Sequence, residues 1–201
     1  MVAFDRWGYG GSDPQASLSM PFFEADLNDL ETLLDQLDVP QASLVGHSDG
    51  GTIALYFAAS HPARVSRLVT IAAHIYIEPK MGRGIDDVRE QYEADANFRE
   101  ALRRIHGEKA SAVFYGWYNG WRSEANLQWD LRPLLQRISC PTLVVQGLED
   151  EHATAQHATD IAGAIPGAEL WLVPEAKHML PQDLPGTFNR KLLEFLVFRP
   201  I

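Results

Sequence analysis

The chain has 201 residues, 46% of them hydrophobic and 22% charged, a balance that predicts a folded domain with room for a core. Its net charge of −10 at pH 7 argues against nucleic acid and anionic membrane surfaces as partners, because both are held by basic patches. No apolar run approaches the ~18 residues of a membrane-spanning helix, no basic-then-apolar leader opens the chain, and the single cysteine, Cys140, can close no internal disulfide; a reduced thiol in a cytoplasmic protein is expected.

In chain order, MVAFD (1–5) predicts a strand and RWGYGGSDP a glycine-rich loop. The stretch 22–38 predicts a helix, with Leu27, Leu30, Leu34 and Leu37 at helical spacing. ASLVG (42–46) predicts a strand, GTIALYFAAS (51–60) a helix stopped by Pro62, and SRLVTIAA (66–73) another strand. More than sixty residues then pass before the next strand, PTLVVQG (141–147); they read as several helices, among them DDVREQYEADA and NFREALRRIHG. AELWLV (168–173) predicts a last strand, and a closing helix over 187–198 carries Leu192, Leu193, Phe195 and Leu196. Continuous apolar strands alternating with helices predict an α/β fold with a parallel sheet covered on both faces.

A βαβ connection needs one helix, so the surplus between the third and fourth predicted strands is an insertion. The expected division is a core of 1–77 and 141–201 with a helical lid over 78–140. The insertion holds Phe114, Tyr115, Trp117, Tyr118, Trp121 and Trp129. These aromatics either pack it onto the core or line an apolar substrate pocket; Trp117 and Trp121 are the candidates for the pocket, with His74 at the end of the preceding strand.

The chemistry is carried by LVGHSDGG, residues 44–51. Gly46-His47-Ser48-Asp49-Gly50 has the form G-x-S-x-G, directly after a strand and before a helix. Such a turn lifts the serine above the sheet edge, and its glycines remove Cβ atoms where strand and helix nearly touch. A serine hydroxyl needs a base, and the base an orienting acid. After PTLVVQG the loop offers Glu149, Asp150 and Glu151; after AELWLV the loop PEAKHML offers only His178. His47 is expected to pack beside the turn. His152 and His157 lack further ligands, so no metal site is expected.

Taken together these segments resemble an α/β-hydrolase fold serine hydrolase. VAFDRWGYGGSD resembles the family's strand and glycine-rich loop, the stretch from Leu44 to Ala73 its elbow, helix and next strand, PTLVVQGLEDE its acid strand, and PEAKHMLPQDLPGTFNRKLLEFL its histidine loop and last helix. The resemblance places the acid three residues after the strand's glycine, which selects Asp150 after Gly147, and matches His178 as the base. It implies no cofactor and a small-molecule ester as substrate. S-D-G-G after the nucleophile, with PEAKH later, is similar to the biphenyl-hydrolase-like, valacyclovir-hydrolase-type esterases. Under that likeness the Asp49 N–H is one oxyanion donor, and its carboxylate either pairs with a substrate amine or serves the first turn of the helix.

The family's chain normally begins two or three strands earlier, so its first strands are expected to be missing here, together with the loop that supplies a second oxyanion N–H. Either the sheet has a gap beside the elbow strand or Val2 to Phe4 pair directly with Ser43 to Gly46. Besides an esterase, the same Ser, Asp and His suit a carbon–carbon bond hydrolase, an acyltransferase or a perhydrolase, and a catalytically weak remnant is the third expectation.

Overall fold

A computed structural model of the chain describes residues 1–15 and 23–197. The described elements run α1 (Phe23–Gln36), β1 (Ala42–His47), α2 (Asp49–Ser60), β2 (Val65–Ile71), α3 (Pro79–Ala94), α4 (Ala96–His106), α5 (Ala110–Trp121), α6 (Glu124–Leu127), β3 (Thr142–Gly147), α7 (Gln156–Ala164), β4 (Glu169–Val173), α8 (Leu180–Asp183) and α9 (Pro185–Val197). Residue 22 of the first expected helix and residue 198 of the last lie outside the described residues.

The strands form one parallel sheet in the order β1-β2-β3-β4. Consecutive parallel strands need a crossover on a face of the sheet, and helices supply it. Side chains alternate across the pleat. Leu68 of β2 and Val144 of β3 face a core shared with α1, α2 and α7; Val69, Ile71, Leu143 and Val145 face a second core closed by Leu180 and Phe188. All six residues of β3 are buried, which is why its sequence is a continuous β-branched and apolar run rather than an alternating one. Leu27, Leu30 and Leu34 of α1 are buried, whereas Leu37, past the helix end, is exposed, as is Leu193 of α9.

The expected strand over 1–5 does not form. Met1 to Asp5 are exposed and pair with no strand among the described residues; an extended segment without ladder partners has no reason to stay a strand. Of the two arrangements expected beside the elbow strand, the gap is the one observed. β1 is an edge strand of the described sheet, and a cavity of about 570 Å³ lies along it, lined by Val2, Phe4, Ser43, Val45 and Gly46 among others. Residues 1–15 are nonetheless anchored: Arg6 makes a two-pronged contact with Asp26 of α1, its Nε to Oδ1 and its Nη2 to Oδ2 at 2.7 Å each.

Between β2 and β3 stand α3 to α6 and a short 3₁₀ turn, Arg132–Arg137. Aromatic packing ties the helices of this segment to one another: Tyr92 stacks on Phe114, which also meets Trp117 at 6.0 Å between centroids. Phe23 of α1 meets Trp121 and Trp129 at 6.1 and 5.7 Å, so the segment also packs against the body of the fold.

Candidate active site

Ser48 sits between β1 and α2 with φ 54° and ψ −123°, a backbone conformation that L-residues rarely adopt. Its N–H donates to the Ile71 carbonyl at 2.8 Å, and its own carbonyl receives the N–H groups of Gly51 (2.9 Å) and Thr52 (3.1 Å). The turn is possible because a Cβ on Gly46 would lie 2.2 Å from the Gly50 carbonyl oxygen. The expectation that both motif glycines clear space holds for Gly46 but not for Gly50, whose Cβ would meet nothing within 4 Å. The second close approach belongs to Gly51, where a Cβ would stand 2.9 Å from that of Ala73.

Two loops meet opposite this turn. Gly147 ends β3 against the loop after β4; a Cβ there would fall 2.2 Å from the Ala176 carbonyl oxygen. That contact lets Asp150 reach His178, whose Nδ1–H donates to Asp150 Oδ2 at 2.9 Å. Because a carboxylate only accepts, the bond assigns the proton to Nδ1 and leaves Nε2 as the ring's acceptor. Asp150 also receives Gln146 Nε2 at 2.8 Å and the N–H groups of His152 (2.8 Å) and Ala153 (3.1 Å). Burial pushes its carboxyl up, but the bonds and charge from His178 and these N–H groups outweigh burial and hold it well below the usual carboxylate range. Of the other two acids in the loop, Glu149 is exposed, and Glu151 receives the His178 N–H at 3.1 Å.

Two more imidazoles flank His178. His47 lies 4.9 Å away between ring centroids and donates its Nε2–H to the His178 carbonyl at 2.9 Å; His152 lies 4.7 Å away, edge-on. Burial lowers the pKa of both, aided by the charge of His178; for His47 the bond to the His178 carbonyl acts against burial without outweighing it.

A cavity of about 580 Å³ brings together Ser48, Asp49, His74, Trp117, Trp121 and His178. All six residues singled out in the sequence besides Asp150 therefore line one space, and Asp150 stands behind His178. The Asp49 carboxylate is not idle: His74 Nε2 lies 3.2 Å from it, the Arg6 guanidinium 3.8 Å, and Trp121 hydrogen-bonds to it as well. Burial pushes Asp49 up, and the bond and charge of His74 with the charge of Arg6 reverse this and hold it low.

Sequence reasoning missed the residues that join distant segments. Arg6 and Asp26 reach the turn through Asp49. Lys80 of α3 bonds to the carbonyls of Asp150 and Ala153 (3.2 Å to the latter), and Glu78 receives Thr154 Oγ1 at 2.8 Å, so the start of α3 clamps the acid loop. The charged pair Glu78–Lys80 at a helix start was the available signal, but nothing local names its partners.

A family model described as alpha/beta hydrolase fold matches residues 1–115. The mouse protein "Serine hydrolase BPHL" is 32% identical over 203 residues, covering 98% of this chain and 69% of its own length. "Putative carbamate hydrolase RutD" of Caulobacter sp. (strain K31) is 28% identical over 221 residues, with 98% and 80% covered. The crystal structure of a hydrolase from Pseudomonas aeruginosa PA01 superposes with a TM-score of 0.72 at 27% identity, covering 96% of this chain and 77% of that one.

Proposed function

This chain belongs to the alpha/beta hydrolase family, and from that premise we propose that it is a serine hydrolase that cleaves a carboxylic ester of a small molecule through an acyl-enzyme on Ser48. The observation that carries the reading is the bond from His178 Nδ1–H to Asp150, with Ser48 and His178 on the wall of one cavity. In the proposed reaction Ser48 Oγ attacks the ester carbonyl while His178 Nε2 takes the hydroxyl proton. In this reading the negative oxygen that forms lies at the N-terminus of α2, which begins at Asp49, and takes the Asp49 N–H as a donor. His178 then gives its proton to the departing alkoxide, which leaves as an alcohol. Water, deprotonated by the same nitrogen, attacks the acyl-enzyme; the C–Oγ bond breaks, the carboxylic acid leaves and Ser48 regains its proton.

Met81, Ile85, Val88, Phe98 and Trp121 give the cavity an apolar wall, and the helices that carry these residues act as a lid in this reading. Among the described residues its charged lining is acidic, Asp49, Asp87 and Glu151, without lysine or arginine. Asp26 already binds Arg6 through both its oxygens, so the Arg6 guanidinium is shared between two carboxylates and stands farther from Asp49, at 3.8 Å, than from Asp26. An ester carrying an ammonium group, such as an α-amino acid ester, is the substrate that this lining supports. The lone Cys140 fits a reducing cytoplasm.

The test is fluorophosphonate labelling together with ester turnover. Wild-type protein is expected to label and to hydrolyse p-nitrophenyl acetate; Ser48→Ala is expected to do neither while keeping its fold. Undiminished turnover in Ser48→Ala would remove Ser48 as the nucleophile.

A further inference from the structure

We infer that the lid segment contains a separate apolar subsite for a phenyl-sized end of the substrate, an inference that rests on the proposed hydrolase reading. A second cavity of about 200 Å³ lies among α3, α4 and α5 and shares Val88, Phe98 and Trp117 with the catalytic cavity. Its remaining lining includes Leu102, Ala110, Val113 and Phe114, none of which touches the catalytic cavity. The two spaces are thus neighbours that meet at two aromatic side chains and a valine.

Apolar cavities of ~150 Å³ accept benzene. This pocket, open to solvent on one side, exceeds that size, and it is built rather than left over. Its far wall is Tyr9, from the glycine-rich loop, brought there by bonds to α4 and the turn after it. The Gly10 N–H donates to His106 Nδ1 at 2.9 Å, and Lys109 Nζ donates to the carbonyls of Ser12 and Tyr9, the latter at 3.3 Å. Tyr9 meets the His106 ring edge-on at 6.0 Å. His106 Nδ1 and two of the three Lys109 ammonium donors are thereby engaged by the loop backbone, and the pocket presents chiefly aromatic and aliphatic surface. A phenyl ring there would have Phe114 and Trp117 for offset or edge-to-face contact, the geometry aromatic pairs favour. The ester carbonyl would stay at Ser48, with a short spacer passing Phe98.

The test has two arms. The first measures kcat/KM for p-nitrophenyl esters of ω-phenyl acids with two, three, four and six acyl carbons, and for acetates of ω-phenyl alcohols of the same lengths, each divided by the value for the matching phenyl-free acetate. The second follows benzene binding to Ser48→Ala protein by ligand-observed NMR and needs no turnover. In wild type one spacer length is expected to stand out in one of the series. Val113→Phe fills the subsite from its buried side and is expected to lower that ratio at least tenfold and to weaken the benzene signal. Leu102→Trp, at a half-buried position, gives the same reading if Val113→Phe does not fold. Folded variants with unchanged ratios and unchanged benzene binding would overturn the subsite. Wild type that turns over no ester, yet binds benzene in a Val113-dependent way, would instead sink the esterase reading and leave the subsite standing.

Discussion

Asp150 takes four hydrogen bonds, and only one of them comes from His178. Replacing it by asparagine keeps the shape but removes the charge and offers an N–H₂ where a pure acceptor stood, so the imidazole loses its tautomer. Asp150→Asn is expected to lower kcat by ~10³–10⁴ with little change in KM, whereas Glu149→Gln, on an exposed side chain, is expected to stay within about twofold; ester kinetics on the two proteins separate them. A crippled Glu149→Gln would mean that the loop has been misread. At this scale the candidate serine and acid were legible because a strand and a glycine precede each, and the candidate histidine because its loop holds no other. Arg6 and Asp26 were not, because a guanidinium and a carboxylate twenty residues apart become partners only once α1 is laid beside the turn.

The strand-to-helix elements depend on close backbone approach. Gly46→Ala forces a Cβ to within 2.2 Å of a carbonyl and is expected to cost the fold more than 3 kcal/mol, seen as failure to express soluble protein or as a collapsed melting temperature. Gly50→Ala meets open space and sits inside α2, where alanine is the better helix former; it is expected to be neutral or to stabilise by up to ~1 kcal/mol. A melting comparison decides, and a destabilised Gly50→Ala would contradict the geometry. The sequence motif marks both glycines alike, and the steric roles separate only in three dimensions. Elements with a period to read, such as α1 and β3, were legible in the same way. The segment 1–5 was not, because strand propensity says nothing about whether a partner stands alongside.

For the molecule as a whole, His157 couples stability to pH. It is fully buried between Tyr76, stacked at 4.2 Å, and Glu78, 3.6 Å from its Nε2, and it accepts the Ile75 N–H at 3.3 Å. Burial pulls its pKa from 6.5 to about 4, although the charges of Glu78 and Asp160 act to raise it. The folded chain therefore binds fewer protons than the unfolded chain between those values, and stability falls as pH drops through that window. The loss attributable to His157 amounts to ~3 kcal/mol at most, or roughly 5–10 °C in melting temperature. The lowered carboxyl of Asp150 adds its own loss only below pH ~4. The pKa values of half-buried His47 and His152 are lowered too, so the measurement is the difference between wild type and His157→Asn, which retains an acceptor but no titrating group. The variant is expected to melt lower at pH 7 and to show a flatter slope between pH 6.5 and 4; an equal slope would clear His157 of the effect. A debt of another kind is held at Ser48. Its φ of 54° is a conformation that glycine takes freely and serine does not, at a cost of ~1–3 kcal/mol drawn from the stability of the entire fold. Ser48→Gly, chemically inert by the proposed mechanism, is thus expected to melt a few degrees above wild type, whereas Ser48→Ala keeps the strain and gains nothing. If so, selection has kept the less stable protein because of the one hydroxyl group it carries.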